Sequence, residues 1–556
     1  MNRNNRLTLC LVLIFAALAS IPWLVPHTGA LILVAFVPLL LADDVATQLG
    51  VKHFFWYHYL GFVLWNAATT FWVCNATVGG GIFAILANAL QMSVVWSLFR
   101  FGKKRLGAVP SYIFLAAAWI AWERLYFSAD ISWPWLVLGN AFAQSTGLVQ
   151  WYSVTGTLGG SLWVWAANLG IFGVIVALAE GHFSRWNAAA RVSAVLGITL
   201  VLAGPVVASR LMWNAWEAPQ EGSVDVLIAQ PNFDPYHKFE KMSQAEQTAT
   251  LLELCDSALA ADNASTAGSG AAADSSSKAD PRPLLVLAPE TFTSDVRVGD
   301  IASSPTVQSL DAWISRHPGA EILFGASTWE YFPQRSAPHI LSRPYGDGWL
   351  ESWNSAILTG GAGSKEICHK SRLVVGTEKT PYPRIFVPFD NWLCRTFGLR
   401  GPLMGRCLEQ GAPTCLHFGG GIPLGCAICY ESVYPEYCTG YVKEGAKFLA
   451  VITNDAWWGN TPGYRQHCSY SRLRAIELRR EIARCGNTGI SCLIDARGTV
   501  TSRGPWWEEA TLRGQVQLSS VQTPFVRHGD VCGRLCTFIF LLLLAVAIVR
   551  LFVPGR

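Results

Sequence analysis

The chain has 556 residues, 51% of them hydrophobic and only 14% charged, whereas a soluble globular chain carries roughly a quarter charged residues. With 24 Trp, 28 Phe and a formal net charge of +4, disorder, a collagen-like repeat and a small disulfide scaffold are excluded, and there is too little excess positive charge to suggest nucleic acid. The composition is that of a lipid-embedded protein with a more polar part attached.

Apolar runs of bilayer-crossing length, about 17–25 residues, lie at 6–24, 56–74, 79–99, 108–127, 157–180, 191–213 and 535–553, and a shorter run at 28–42 completes a helical hairpin with the first. Arg3 and Arg6 before the first run also suit a signal peptide, with Ala17 to Ser20 as a cleavage region. Because hydrophobic runs continue to residue 213, a retained anchor is the better reading. Lys and Arg collect in cytoplasmic loops. Arg3 and Arg6, Lys52, then Arg100, Lys103, Lys104 and Arg105, then Arg185 and Arg191 mark every second loop, while 75–80 and 128–156 contain neither residue. This pattern predicts about eight spans, with residues 214–534 outside and the C-terminal tail inside. Trp119, Trp122, Trp133, Trp135, Trp163 and Trp165, near span ends or between them, are expected to anchor the interface.

Three parts follow: a membrane domain at 1–213, an outer domain at 214–534, and a last span with a short tail at 535–556. In the outer domain Ser223–Ile228, Leu284–Leu287, Glu321–Gly325, Ser355–Leu358, Leu424–Cys429 and Phe448–Thr453 read as strands, and Tyr464–Ala483 as a helix. Strand–helix alternation predicts an α/β sandwich with buried sheets. Residues 258–282, rich in Ala, Ser, Gly and Asp, read as a flexible insertion. Among 15 cysteines, Cys394/Cys407 and Cys415/Cys438 are candidate disulfide pairs in an oxidising compartment, with burial as small apolar side chains the alternative. Cys426 and Cys429 form a CxxC at the end of an apolar strand, the wrong place for a redox helix start.

Three segments set a reactive residue beside an apolar run. Leu284-Leu-Val-Leu-Ala-Pro-Glu290 carries a carboxylate, Lys365-Glu-Ile-Cys-His-Lys370 an amine, and Leu424-Gly-Cys-Ala-Ile-Cys429 a thiol followed by Tyr430 and Glu431. Catalytic groups gather where strands end in layered α/β folds. A Cys nucleophile needs a base to remove its proton and a cation for the developing oxyanion, and Glu, Lys and Cys supply those roles.

The Glu-Lys-Cys order resembles the nitrilase superfamily. Together with the membrane frame, Ile428-Cys429-Tyr430-Glu431, Asn454-Asp455-Ala456-Trp457-Trp458-Gly459, Ser471 to Glu477 and Asn487-Thr488-Gly489 make the whole chain similar to that superfamily's membrane-bound branch, the apolipoprotein N-acyltransferase family. The resemblance implies a multi-pass α-helical membrane domain joined to a nitrilase-like α-β-β-α sandwich. It implies Cys429 as nucleophile, Glu290 as general base and Lys370 as oxyanion-stabilising cation, with Glu378, Tyr430 and Glu431 in support and neither metal nor cofactor. It further implies acyl transfer through a Cys thioester from a phospholipid such as phosphatidylethanolamine to the α-amine of diacylglyceryl-modified apolipoproteins. The setting would be a monomer in a bacterial inner membrane with its catalytic domain on the periplasmic side. Cys368-His369-Lys370 and Val374 to Glu378 depart from the commoner family pattern, and Phe239 stands where the family carries a tryptophan. Asp455 and Trp457 read as loop architecture. Arg472 and Arg474, two apart, point to different helix faces. Two rivals are a membrane-tethered amidase, in which water replaces the amine, and a transporter, which the scarcity of mid-span charges argues against.

Overall fold

In the computed structural model, which describes residues 3–234, 242–268, 283–399 and 401–552, helices occupy all eight apolar stretches. Six are long and apolar enough to cross a membrane: Arg3–Leu24, Gly29–Gln48, Val78–Lys103, Thr157–Ala179, Ala188–Ala215 and Val531–Phe552. Phe54–Thr70, at 17 residues, and Ala108–Ser128, which carries Glu123 and Arg124, stand outside that set.

Packing divides the chain into two units. The first is Met1–Trp216 with Asn460–Glu477 and Thr523–Arg556, and the second is Glu217–Gly459 with Leu478–Gln522. The helix Pro462–Leu478, expected in the outer domain, therefore packs mainly with the first unit. There Trp23 Nε1 donates to Tyr470 Oη at 3.1 Å and Tyr470 Oη to the Trp135 carbonyl at 2.8 Å. The expected tryptophan belt is corrected here. Trp119, Trp135, Trp163 and Trp165 are buried, and Trp119 lies against Trp165 with ring centroids 5.4 Å apart. Their large apolar area fills the helix bundle rather than facing lipid. The same helical unit tolerates a break at Phe36 because Asn168 replaces the lost helical partners, accepting from Phe36 N at 2.8 Å and donating to the Ile32 carbonyl at 2.9 Å.

The second unit is built on two sheets. Strands β1 (Ser223–Gln230), β2 (Leu284–Leu287), β3 (Ala320–Phe332), β4 (Arg343–Tyr345), β5 (Gly348–Thr359), β6 (Lys365–His369) and β13 (Ala510–Gln517) form one, in the order β13-β1-β2-β3-β5-β4 with β6 also on β5. Strands β7 (Cys415–Phe418), β8 (Ile422–Ile428), β9 (Phe448–Thr453), β10 (Ile482–Gly486), β11 (Cys492–Ile494) and β12 (Val500–Arg503) form the other, in the order β12-β11-β10-β9-β8-β7. Alternation with period two sorts the side chains. Val226, Ile228, Leu285, Leu287 and Leu358 meet Leu424, Cys426, Ile428, Ala450 and Ile452 between the sheets. Leu227, Val286, Ile322 and Phe324 face the helices Gln244–Gly268 and Pro305–Arg316 through Leu251, Val307, Leu310 and Trp313. On the far side Tyr441, from the helix Pro435–Lys443, closes against Gly425 of β8. The result is the helix–sheet–sheet–helix layering of the nitrilase fold.

All six expected strands are present, but Ile482 and Ala483 begin β10 rather than ending a helix, which stops at Leu478. Their neighbours supply the reason: Ile482–Gly486 is buried throughout and pairs in parallel with β9. Residues 258–268 of the expected insertion are helical, while 269–282 and Phe239 lie outside the described residues. Neither candidate pair, Cys394/Cys407 or Cys415/Cys438, forms a disulfide. Cys394 instead donates to the Gly401 carbonyl at 3.1 Å, Cys415 to Tyr441 O at 3.4 Å and Cys438 to Glu431 O at 3.5 Å.

Candidate active site

Glu290, Lys370 and Cys429 converge at the strand ends between the two sheets. Glu290 follows β2 through Ala288 and Pro289. The adjoining strand must pass very close, and Gly325 of β3 allows it: a Cβ there would lie 2.5 Å from Glu290 Cα. Lys370 follows β6 and shares the inward parity of Cys368. Its backbone N–H donates to the Asn354 carbonyl at 2.7 Å, which extends the β5–β6 ladder by one bond. Cys429 follows β8 directly. Its φ of +52°, in the left-handed region disfavoured for a side chain with a Cβ, ends the strand and starts the short helical turn Cys429–Val433.

Buried Glu290, Lys370 and Asn354 make one polar cluster with the partly exposed Glu378. Lys370 Nζ donates to Glu290 Oε1 at 2.9 Å and to Glu378 Oε1 at 3.0 Å. Asn354 Nδ2 donates to the same two oxygens, at 2.8 and 2.7 Å. Glu290 Oε2 accepts from the Asn454 backbone N–H at 3.1 Å, and Glu378 Oε2 from Val374 N at 2.7 Å. Asn354 escaped the reading from sequence, and Asn454 was read only as part of a family motif, with no role at the site. A polar residue at an inward parity position, two before Ala356 and two after Ile452, was the available signal.

Burial alone favours the neutral forms of Glu290, Lys370 and Cys429. For Glu290 the Lys370 ammonium and hydrogen bonds from Lys370, Asn354 and Cys429 outweigh burial and hold the carboxyl below its usual range. For Lys370, burial is overcome by the charges of Glu290 and Glu378, which push the ammonium well above its usual range. It therefore stays protonated and is a fixed cation rather than a base. Burial, with Glu290 and then Asp455 adding to it, pushes the Cys429 thiol well up against the opposing pull of Lys370 and a hydrogen bond from Thr453. The resting site is thus a thiol beside a carboxylate.

Glu431 is also buried, at 1% exposure, but has a different surrounding. Its Oε1 accepts from Ser371 N at 2.6 Å and Tyr437 Oη at 2.7 Å, and its Oε2 from Ile428 N at 2.9 Å and Tyr441 Oη at 3.1 Å. It joins the residue before the thiol to the residue after the lysine. Tyr430 is buried and meets Tyr434 edge-on with ring centroids 5.2 Å apart. Arg474 lies in the first unit, ion-paired with Glu477 at 2.6 Å. Asp455 lies within 4.8 Å of Cys429 Sγ, already engaged by Arg484 and Thr453 at 2.8 Å each.

Known proteins share both parts of this chain. The sequence profile of the apolipoprotein N-acyltransferase N-terminal domain matches residues 14–170, and that of the carbon-nitrogen hydrolase family matches 305–523. Among curated relatives, the apolipoprotein N-acyltransferase of Chlorobaculum tepidum is 28% identical over 95% of this chain and 93% of its own. That of Geobacter metallireducens is 27% identical over 92% and 89%. Among solved structures, Saccharomyces cerevisiae Nit3, a member of the nitrilase superfamily, aligns with a TM-score of 0.36 at 14% identity, over 54% of this chain and 93% of its own. The chain belongs to the apolipoprotein N-acyltransferase family and is an enzyme of the acyltransferase class.

Proposed function

We propose that this enzyme moves an acyl chain from a membrane phospholipid to the α-amine of an N-terminal diacylglyceryl-cysteine on apolipoproteins, through a thioester on Cys429. The observation that carries this reading is the juxtaposition of a buried thiol, carboxylate and ammonium at converging strand ends, in a chain whose described residues include six membrane-length apolar helices. Both substrates are anchored in lipid, where each buried CH₂ contributes about 0.8 kcal/mol, so an enzyme held in the same membrane meets them there. The basic loops 100–105 and 185–191 support a cytoplasmic position for those loops, and with it a catalytic domain on the periplasmic face of a bacterial inner membrane.

In the first half-reaction Glu290 takes the thiol proton as sulfur attacks the ester carbonyl carbon of a donor such as phosphatidylethanolamine. Lys370 and backbone N–H groups at Tyr430 stabilise the oxyanion, worth roughly 3–4 kcal/mol per well-placed donor. The C–O bond breaks, Glu290 returns the proton to the departing lysophospholipid oxygen, and the thioester remains. In the second, the acceptor amine attacks that thioester, Glu290 takes a proton from nitrogen, the C–S bond breaks and sulfur regains its proton. One site used in turn by two substrates gives ping-pong kinetics. Glu378 holds Lys370 from its far side, and Tyr430 and Glu431 shape the turn that carries the thiol.

The test is the intact mass of the full-length protein after incubation with phosphatidylethanolamine and no acceptor. One added acyl chain, removable by hydroxylamine and absent from Cys429→Ala, is the expected result. A folded wild-type protein that gains no mass but hydrolyses small amides would establish the amidase instead.

A further inference from the structure

A side-chain donor beside Glu290 has no acceptor among the described residues, and Asn487 shows where it points. The Asn487 backbone N–H donates to the Thr453 carbonyl at 3.1 Å, and the Asn487 carbonyl accepts from Asn232 N at 3.0 Å. In the Asn487 side chain, Oδ1 accepts from the Phe233 N–H at 3.0 Å, so the NH₂ group lies at the other end. That group has two hydrogens and donates both, to the Phe233 carbonyl at 2.7 Å and to Asn454 at 3.2 Å. Because a donor faces Asn454 there, the Asn454 atom that meets it is Oδ1, and the Asn454 NH₂ group is turned the other way. Among the described residues that NH₂ group has no acceptor, although Asn454 is only 6% exposed. A nearly buried donor without an acceptor is unfavourable and marks strain, catalysis or a ligand. The Asn454 backbone, at φ −130°, lies outside the left-handed region and supplies no strain to explain it.

We infer that Asn454 is a substrate-binding residue, whose side-chain NH₂ group donates a hydrogen bond to an oxygen of the ester that Cys429 attacks. The two oxygens of Glu290 show where that ester meets the base. Oε1 takes Lys370 Nζ and Asn354 Nδ2, whereas Oε2 takes the backbone N–H of Asn454. A carboxylate oxygen has room for about two donors, so Oε2 keeps the place from which a proton is exchanged with the reactants. The reacting ester therefore comes beside the residue whose backbone N–H holds Oε2, and the unpartnered NH₂ group belongs to that same residue. Negative charge grows on the ester oxygens as the tetrahedral intermediate forms and as the lysophospholipid departs. A donor aimed in advance stabilises that charge without reorganising, and Asn487 does the aiming. Asn487 acts through Asn454 and is a positioning residue.

This inference rests on the acyl-transfer reading, and the experiment tells the two apart. Full-length wild type, Asn454→Ala, Asn454→Asp and Asn487→Ala are compared in two assays. One is thioester formation with phosphatidylethanolamine, followed by intact mass; the other is alkylation of Cys429 by iodoacetamide, which presents no ester to be held. Asn454→Ala keeps the backbone N–H on Glu290 and loses only the side chain. It is expected to slow thioester formation by about 10- to 100-fold, the effect of a lost hydrogen bond to a developing charge. Its alkylation rate and the acid limb of kcat/KM are expected to stay at their wild-type values. Asn454→Asp preserves the shape and an oxygen toward Asn487 while removing the NH₂ group. It should lose at least as much thioester formation, which keeps the test open should the alanine variant fail to fold. Asn487→Ala, which frees the Asn454 amide to turn, is expected to fall in the same assay by less. Thioester formation at the wild-type rate in either Asn454 variant overturns the inference. So does an Asn454→Ala enzyme whose alkylation slows as far as its acylation, the mark of a disturbed Glu290 rather than of a lost substrate contact. A wild type that is alkylated at Cys429 but never acylated overturns the acyl-transfer reading, and the inference with it.

Discussion

Glu290 and Glu431 are both buried carboxylates at the meeting of the two sheets, at 6% and 1% exposure, yet they are held in opposite ways. Glu290 faces the Lys370 ammonium at 2.9 Å and its carboxyl is held down. Glu431 is bonded by backbone N–H groups and tyrosine hydroxyls, and burial pushes its carboxyl up despite them. A cation at contact keeps a buried carboxylate ready to take a proton. A ring of neutral donors spends the same carboxylate on holding two loops together. On the proposed mechanism identical chemistry serves as a base in one place and a fastener in the other, and substitutions on the two sides should report through different observables.

On the reactive side the largest effect is expected from Cys429→Ser. A hydroxyl of much higher pKa replaces the thiol, and loss of a nucleophile that acts as part of a unit costs on the order of 10⁴-fold or more in kcat. No hydroxylamine-labile adduct should form, and an adduct at wild-type rate would assign the nucleophile elsewhere. Glu290→Gln follows, at about 10²- to 10⁴-fold for a lost general base. Lys370→Met is expected to cost about 10²- to 10³-fold, the value of one oxyanion donor. It also leaves Glu290 and Glu378, which share that ammonium, facing each other without it. Removing the cation raises the Glu290 carboxyl, so the acid limb of kcat/KM moves to higher pH. The stabilisation carried by the lowered Glu290 is present above the unfolded carboxylate value of about 4.3 and disappears as pH falls through the folded one. Lys370→Met should lack it at neutral pH. An unmoved acid limb would show that another group sets it.

How far the chain announced this arrangement depends on the kind of signal. Leu284–Leu287, Phe448–Thr453 and the strand before Cys429 were legible because continuous apolar runs with reactive residues at their ends are a local pattern. Strand β10 was not, since Glu481 to Arg484 carries charges that tertiary pairing buries: Arg484 is fully buried against Asp455. Short β11 forms because β10 offers it an edge, and β12 because β11 does, a fact with no local trace. At the site, Glu290, Lys370 and Cys429 were found as ends of runs. Asn354 was missed because it sits inside β5, where one polar residue reads as ordinary alternation until the partner sheet is known. The tryptophans near span ends were misread for a related reason: a belt and a bundle core have the same composition and differ only in which way the rings face.

On the fastening side, Glu431→Gln should act chiefly on stability. Both carboxylate oxygens accept a backbone N–H, Oε1 from Ser371 and Oε2 from Ile428. The glutamine NH₂ therefore meets a backbone donor in either orientation, and no amide flip relieves it. Tyr437 and Tyr441 can turn their hydroxyls to accept, but Ser371 N and Ile428 N cannot. One buried donor left without an acceptor costs about 1–3 kcal/mol, which lowers the midpoint of thermal unfolding. The turn at Cys429 loosens with it, and a decrease in kcat of about tenfold is expected, less than for any substitution on the reactive side. The acid limb of kcat/KM should stay where it is in wild type, because Glu431 exchanges no proton with substrate and the Lys370–Glu290 contact is untouched. Measuring thermal unfolding and the pH profile on the same preparation decides the matter. An acid limb that moves with an unchanged unfolding midpoint would place Glu431 among the reacting groups and dissolve the contrast between the two carboxylates.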